Sequence, residues 1–371
     1  RDPLSFDFRD ISSVLSWTPS QKDQVILNFL TISNENRTLL VDNNIQTDLD
    51  NQTSLTNNGI NLQWNRQWGS WRSSFFFTSA LYDYEVNNQE FEINSERLST
   101  FDKQGNRLNT LKLCSIYSKK NASNYHESTL GYEATRLKST LSLERQVRPN
   151  APMRGPIGVT EQQATVHSVF GNYYIPDLKN FMCDLGLRTN YYTGNESLRL
   201  EPRLFINYTL NDHINLKTSA GIYSQFIARN VFFDYSDLAL DKLVWQLVTN
   251  KEDEIIKSGQ FLAGLSYQSG NWLFDFDAYY KRVENITASS PGTQRPFEDP
   301  MTGGPMPGGQ MGPNPARLIG GINSRGMDFL IKRKIRNLNI WANYTLSKVD
   351  FDFRALKTDE FPANYDQRHV L

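Results

Sequence analysis

Histidine, cysteine and methionine would supply hydrolytic, redox or metal chemistry, and here each is thinly spread. His126, His167, His213 and His369 lie far apart, and no HExxH, GxSxG or P-loop pattern accompanies them. A Ser, His and Asp set assembled from separate elements stays open on sequence alone. Cys114 and Cys183 have no His or Cys at ligand spacing, so a zinc site is excluded by count and two unpaired thiols are expected. The glycines at 158, 303–304 and 308–309 precede no helix and form no phosphate cradle. The chain is therefore expected to carry no metal and no cofactor, and not to be an enzyme.

Two other groups of residues suit ligand contact better. Arg188, Arg199, Glu201, Arg203, Lys217, Tyr223 and Gln225 crowd the stretch 181–226. Their excess of Arg and Lys over Glu reads as an anion-attracting surface, or as charges that pair across strands and solvate a wet interior. Phe232, Phe233 and Tyr235 open a long connection, and Leu238 to Val248 behind them is expected as a short amphipathic helix in a folded lid. Met301, Met306 and Met311 punctuate a Gly- and Pro-rich tract. Methionine is soft and adaptable, which suits a hydrophobic or metal-complexed ligand.

Strands must position these residues, because period-two alternation dominates and the 3.6-residue period is almost absent. Leu198, Leu200, Pro202, Leu204, Ile206, Tyr208 and Leu210 share one face, opposite Arg199, Glu201, Arg203, Asn207 and Thr209. Ile214 to Phe226, Asn271 to Lys281 and Phe181 to Tyr192 repeat the pattern, placing Leu204 and Ile222 at mid-strand on the apolar face. Runs of about 11–13 residues span about 40 Å, beyond an ordinary strand of about 5–6. About fourteen strands are expected: 10–18, 24–32, 58–68, 71–86, 107–118, 125–143, 162–175, 181–193, 196–209, 213–226, 258–269, 271–286, 317–335 and 337–350. Tight turns such as Gly69-Ser70, Asn211-Asp212 and Arg336-Asn337 alternate with long connections at about 33–57, 87–106, 144–161, 227–257, 287–316 and 351–367. Short turns on one side and long loops on the other are the mark of an antiparallel outer-membrane β-barrel. Tyr82, Tyr84, Tyr173, Tyr174, Tyr191, Tyr192, Tyr279, Tyr280 and Trp341 fall towards strand ends, where interfacial girdles sit.

Composition agrees. Over 371 residues, 39 Lys and Arg balance 40 Asp and Glu for a net charge of −1, which argues against nucleic acid as a partner. No run approaches the roughly 18 apolar residues of a membrane helix. Aromatic residues reach 12%, which argues against disorder.

Several segments then resemble the barrel of TonB-dependent outer-membrane receptors of the Bacteroidota type. They are Leu200-Glu201-Pro202-Arg203-Leu204 with Gly221-Ile222-Tyr223-Ser224-Gln225-Phe226, then Ala278-Tyr279-Tyr280-Lys281, Ser324-Arg325-Gly326-Met327-Asp328 and Trp341-Ala342-Asn343-Tyr344-Thr345-Leu346-Ser347-Lys348. The last is Phe361-Pro362-Ala363-Asn364-Tyr365-Asp366-Gln367-Arg368-His369-Val370-Leu371, which opens a further strand. The resemblance covers most of 58–371. It implies that 1–371 is a partial barrel, about fourteen of about 22 strands, lacking the plug domain and both barrel ends. It also implies a Gram-negative outer-membrane location and energy-coupled uptake of a bulky nutrient: an iron chelate, cobalamin, an oligosaccharide or a peptide. Implied partners are outer-membrane lipid, the TonB energy-coupling complex acting through the plug, and a surface lipoprotein. A passive porin-like or adhesin barrel is the alternative.

Overall fold

A computed structural model of the chain describes residues 4–42, 47–92, 98–121, 123, 125–147, 158–232, 244–249, 254–289, 317–353, 360–363 and 365–371. Among them fourteen long strands occur: β1 (Leu4–Ser20), β2 (Asp23–Asp42), β3 (Thr47–Trp68), β4 (Trp71–Glu92), β5 (Leu98–Lys120), β6 (Glu127–Val147), β7 (Gly158–Leu178), β8 (Phe181–Tyr192), β9 (Ser197–Asn211), β10 (Ile214–Gln225), β13 (Ile256–Ser269), β14 (Trp272–Ser289), β15 (Arg317–Ile335) and β16 (Leu338–Asp352). Four short ones complete the set: β11 (Ile227–Phe232), β12 (Val244–Leu247), β17 (Phe361–Pro362) and β18 (His369–Val370). No helix among the described residues is long and apolar enough to cross a membrane. The chain divides into two compact units: Arg1–Gly171 with Arg188–Arg199 and Leu243–Asp253, and Asn172–Leu187 with Leu200–Lys242 and Glu254–Leu371.

In the first unit β1 to β6 pair antiparallel, each with its neighbour in sequence. Residues directly opposite one another share a face, and successive residues alternate faces. Leu15, Leu27, Leu62, Phe77 and Leu113 therefore form one apolar row, while Asn28, Asn61, Thr78 and Lys112 form a polar row behind it. Leu15, Leu62, Phe77 and Leu113 are all exposed, Leu113 at 55%. A contiguous exposed band of this kind marks a surface whose solvent is lipid. The polar row is cross-linked by side chains: Asn28 Nδ2 donates to Asn61 Oδ1 at 3.2 Å and Asn61 Nδ2 donates to Thr78 Oγ1 at 2.7 Å.

The second unit repeats the logic across β9, β10, β13, β14, β15 and β16. Tyr208, Leu216, Leu265, Phe276, Phe329 and Tyr344 make the apolar row, and Asn207, Lys217, Gly264, Asp277, Asp328 and Thr345 the polar one. Leu204 falls on the apolar face, opposite Ala220 and in row with Phe261 and Tyr280. Ile222 lies one row beyond, opposite Gly259 and in line with Arg282, so it marks the edge of the band rather than its middle. One short pairing is parallel, where Val231 and Phe232 of β11 meet Ala288 and Ser289 of β14.

Turn chemistry sets these registers. Lys179 and Asn180, the two residues between β7 and β8, both have positive φ (50° and 76°), the backbone of a two-residue type I′ hairpin. Gly69 and Gly270 supply the same left-handed step at φ 60° and 54°. Cations stack on indoles at this end of the strands: the Arg66 guanidinium lies 4.2 Å over Trp68, Arg333 4.5 Å over Trp272, and the Lys119 ammonium 5.1 Å over Trp71. That pairing suits an interface, apolar on one side and wet on the other.

Three expectations need correction. The strands are longer and the connections shorter: β2 and β3 stay paired from Asp23–Arg66 to Asp42–Thr47, so most of 33–57 is strand, as is most of 87–106. Out there both faces are wet, so alternation disappears while the ladder continues, held by pairs such as Gln52 Nε2 to Glu35 Oε1 at 2.6 Å. The helix expected over Leu238 to Val248 is instead a strand at Val244–Leu247, the part that is described. The tyrosines divide by face rather than forming one girdle: Tyr173, Tyr191 and Tyr280 are exposed, whereas Tyr84 and Tyr192 are buried.

The end of the chain folds back on β16. Phe351, Phe353, Ala363 and Ile286 form a buried cluster, β18 pairs with β16 through Val370–Thr345, and the Val349 N–H donates to Asp366 Oδ1 at 2.8 Å. Burial alone would raise the Asp366 carboxyl. The Val349 N–H and the Arg368 guanidinium outweigh it and hold the carboxyl below its ordinary value.

Two outcomes follow for the full-length protein. Leu265→Arg, in the middle of the apolar row, costs about 2–4 kcal/mol of folding stability in lipid, whereas Ser266→Arg on the opposite face costs little; urea unfolding in liposomes checks this. Because the folded Asp366 carboxyl is depressed, its contribution is complete above the ordinary value of about 3.9 and is lost as pH falls below that through the folded value. Protection of the 360–371 segment in hydrogen exchange is therefore expected to drop at acidic pH in the native protein, and to be low at every pH in Asp366→Asn.

Candidate functional site

The polar faces carry the residues capable of ligand contact, gathered in three constellations. In the first unit, Arg188 from β8 reaches Glu133 of β6 at 2.6 Å, and Lys112 of β5 holds the other oxygen of Glu133 at 2.7 Å. Arg188 also donates to Ser168 Oγ at 2.8 Å and to Asn190 Oδ1 at 2.9 Å. Two cations thus share one carboxylate, and two further guanidinium protons of Arg188 are taken by neutral acceptors. Arg199, at the start of β9, has its Nε buried without a hydrogen-bond partner among the described residues.

In the second unit, Lys217 of β10 lies directly opposite Gly264 of β13, which lies opposite Asp277 of β14. The ammonium passes over the glycine to meet Asp275 at 2.8 Å and Asp277 at 3.0 Å. A Cβ at position 264 would meet Asp277 Oδ1 and stand 2.6 Å from Lys217 Cε, so the pair exists because that strand position has no side chain. One cation between two carboxylates leaves this point of the wall net negative. An anion-attracting role for Lys217 is therefore not what its neighbours provide.

The third constellation is different. Glu201 of β9 is buried and fully engaged, accepting from the Ser224 N–H at 2.8 Å and from the Arg203 guanidinium at 3.0 Å. Arg203 thereby sits with its guanidinium 4.8 Å over the Tyr223 ring, with 43% of its side chain exposed. Tyr223 lies close over Gly221, and its hydroxyl accepts from Gln260 Nε2 at 3.2 Å. An open groove of about 400 Å³ runs beside it, bounded by Tyr223, Gln225, Ser258, Gln260, Lys281 and Val283. Gln225 donates to the Ile227 carbonyl at 2.7 Å and so closes the strand end. Lys281, opposite Gln260, is exposed, and among the described residues it has no carboxylate partner and the buried Ser258 hydroxyl has no hydrogen-bond partner. The groove is lined by one cation, Lys281, and several neutral hydrogen-bonding groups, and Arg203 adjoins it through its contact with the Tyr223 ring.

Of the residues singled out in the sequence, Glu201, Arg203, Tyr223 and Gln225 are brought together, and Arg188 and Lys217 enter separate clusters. Phe233, Tyr235, Met301, Met306 and Met311 lie outside the described residues, as does the side chain of Phe232. Sequence reasoning missed Glu133, Lys112, Asp275, Asp277 and Lys281. Each sits on the polar side of an alternating strand, a signal present in the sequence, but only the register assigns their partners. Three histidines have partners unsuited to hydrolysis: His167 and His369 bond Tyr132 and Tyr344 hydroxyls at 2.8 Å, and His213 Nδ1 meets the Gln268 carbonyl at 2.9 Å. No group of three or more His, Cys, Asp or Glu gathers around a metal-sized space among the described residues.

Lys217→Met strands Asp275 and Asp277 side by side. Because the cluster is about a quarter exposed, the loss is expected near 2 kcal/mol, below the roughly 3–5 of a fully buried pair. Adding Asp275→Asn restores most of it, as read by urea unfolding of the full-length protein in liposomes.

Residues 4–370 match the family described as TonB dependent receptor-like, beta-barrel. No curated protein matches the chain. Among solved structures, the siderophore receptor PirA from Acinetobacter baumannii aligns with a TM-score of 0.60 at 12% identity, over 94% of this chain and 56% of that one. The ferric enterobactin receptor PfeA from Pseudomonas aeruginosa gives 0.61 at 13% identity, over 98% and 59%. The RagAB peptide transporter gives 0.61 at 9%, over 98% and 48%. The chain thus spans about half the length of the structures it resembles. Its two-faced sheet of long antiparallel strands and the match along almost all of its length lead to one assignment: the chain belongs to the TonB-dependent receptor β-barrel family, as part of an outer-membrane β-barrel wall.

Proposed function

We propose that the protein is an outer-membrane receptor for energy-coupled uptake of a bulky nutrient into the periplasm. Its wall contacts the nutrient through the groove between Arg203 and Lys281. The observation that carries this reading is that Lys281 lines the groove without a carboxylate partner among the described residues, whereas Lys217, Arg188 and Lys112 are all bound to carboxylates of the wall. In a narrow wet interior, such a lining favours ligands carrying acidic or hydroxyl groups. Iron chelates, oligosaccharides and acidic peptides all satisfy that chemistry. The solved relatives include proteins named for siderophore, ferric citrate and peptide transport, which supports a transport role of this general type. In this reading a plug domain closes the pore, the TonB complex pulls it, and a surface lipoprotein assists capture.

The test is growth of a strain deleted for the full-length gene on single sources of iron, cobalamin, oligosaccharide or peptide. Complementation by the full-length wild-type gene is expected to rescue one source only. Rescue is expected to vanish when the energy-coupling complex is deleted and to fall at least tenfold in uptake rate with Arg203→Ala/Lys281→Ala. Rescue that persists without the coupling complex would establish a passive pore instead.

A further inference from the structure

A short segment of the 227–257 connection is seated on the polar face of the first unit, and the way it is held identifies a binding site. The segment is Val244-Trp245-Gln246-Leu247-Val248-Thr249, with β12 at its centre. Asn106 of β5 grips one residue twice: the Trp245 N–H donates to Asn106 Oδ1 at 2.9 Å, and Asn106 Nδ2 donates to the Trp245 carbonyl at 3.1 Å. Ser139 of β6 donates to the same carbonyl at 2.7 Å. Two residues on, the Leu247 N–H donates to Gln162 Oε1 of β7 at 2.9 Å, and the other end of that amide donates to Thr249 Oγ1 at 3.1 Å.

Four of these five bonds go to main chain, and the wall side of the site is built rather than incidental. Asn106 is 0% and Ser139 2% exposed. A buried carboxamide facing both the N–H and the C=O of one residue is satisfied by any extended peptide, whatever its side chain. Apolar selectivity comes from Leu247 and Val248, both buried where the segment meets β5 and β6. Tyr192 sets its phenol against the Val248 main chain.

We propose that this seat on β5, β6 and β7 is a main-chain-reading site for extended peptides with apolar residues at their fourth and fifth positions, occupied here in cis by residues 244–249. The chain's own segment is tethered at both ends and holds the seat at high effective concentration, so it sets a threshold that an incoming peptide must exceed. The inference narrows the uptake reading to peptides. It rests on that reading for delivery across the membrane and not for binding.

The experiment uses the full-length receptor in detergent with residues 244–249 replaced by a Gly-Ser segment of equal length, folding being verified by heat-modifiable mobility. The probe is a fluorescein-labelled hexapeptide of sequence Val-Trp-Gln-Leu-Val-Thr, followed by fluorescence polarisation. Saturable binding is expected, weakened at least tenfold by Asn106→Ala, and at least tenfold weaker in the receptor that keeps its own segment. N-methylation of the probe at Trp and Leu removes the two N–H donors and is expected to abolish binding, whereas exchanging the Trp side chain for Leu is expected to preserve it. A folded segment-free receptor that does not bind the probe, or that binds it equally well with Asn106→Ala, overturns the proposal. Binding without peptide-dependent growth would contradict the transport reading and leave this site standing.

Discussion

Every backbone N–H and C=O that enters lipid must find its partner within the protein, because hydrocarbon supplies none. Here that requirement is met by the antiparallel ladder, and the rest of the structure depends on its register. Once Leu27 stands between Leu15 and Leu62, the side-chain period of two sends Asn28 and Asn61 to the other face. A slip of one residue would turn the Leu62, Phe77 and Leu113 row inward and the Asn61, Thr78 and Lys112 row into lipid. The tight turns hold the register from one end, and the type I′ backbone at Lys179 and Asn180 leaves no slack residue to absorb a slip.

The same ladder decides the electrostatics of the polar face. Lys217 reaches Asp277 because Gly264 intervenes on the strand between them, and Arg188 and Lys112 converge on Glu133 because β5, β6 and β8 bring them there. In both clusters every cation is held by a carboxylate of the wall. Against that background the groove beside Tyr223 is a departure: Arg203 is paired with Glu201, but Lys281 on the groove's lining has no carboxylate partner among the described residues. Binding capacity here comes from local imbalance on an otherwise compensated surface.

Much of the fold was legible in the sequence, for a physical reason. A strand with lipid on one side and water on the other must alternate, and Leu198 to Leu210 does so almost without exception. The fourteen long strands expected match fourteen observed among the described residues. Legibility ends where the two faces see the same solvent. Residues 33–38 and 50–54 are polar on both sides and Leu39-Leu40-Val41 does not alternate, so 33–57 looked like loop although Asp42 still pairs with Thr47. The site was legible only in part. Glu201, Arg203 and Tyr223 lie near in sequence and meet, whereas Asn106 and Trp245 belong to segments far apart in the chain and carry no periodic or motif signal of their contact. The segment 244–249, Val-Trp-Gln-Leu-Val-Thr, is rich in β-branched and aromatic residues that favour a strand, and hydrogen bonds with Asn106, Ser139 and Gln162 hold it there.

The central claim is that one wall separates lipid from water with a period of two residues. The most direct measurement places spin labels one at a time along Gln260 to Tyr267 of β13, omitting Gly264, in the full-length protein carrying Cys114→Ser and Cys183→Ser, reconstituted in liposomes. Accessibility to oxygen, which partitions into lipid, is compared with accessibility to a water-soluble nickel chelate. The account predicts that positions 261, 263, 265 and 267 favour oxygen and that 260, 262 and 266 favour the chelate or are shielded from both. Accessibility without that alternation, or with the two sets reversed, would contradict it.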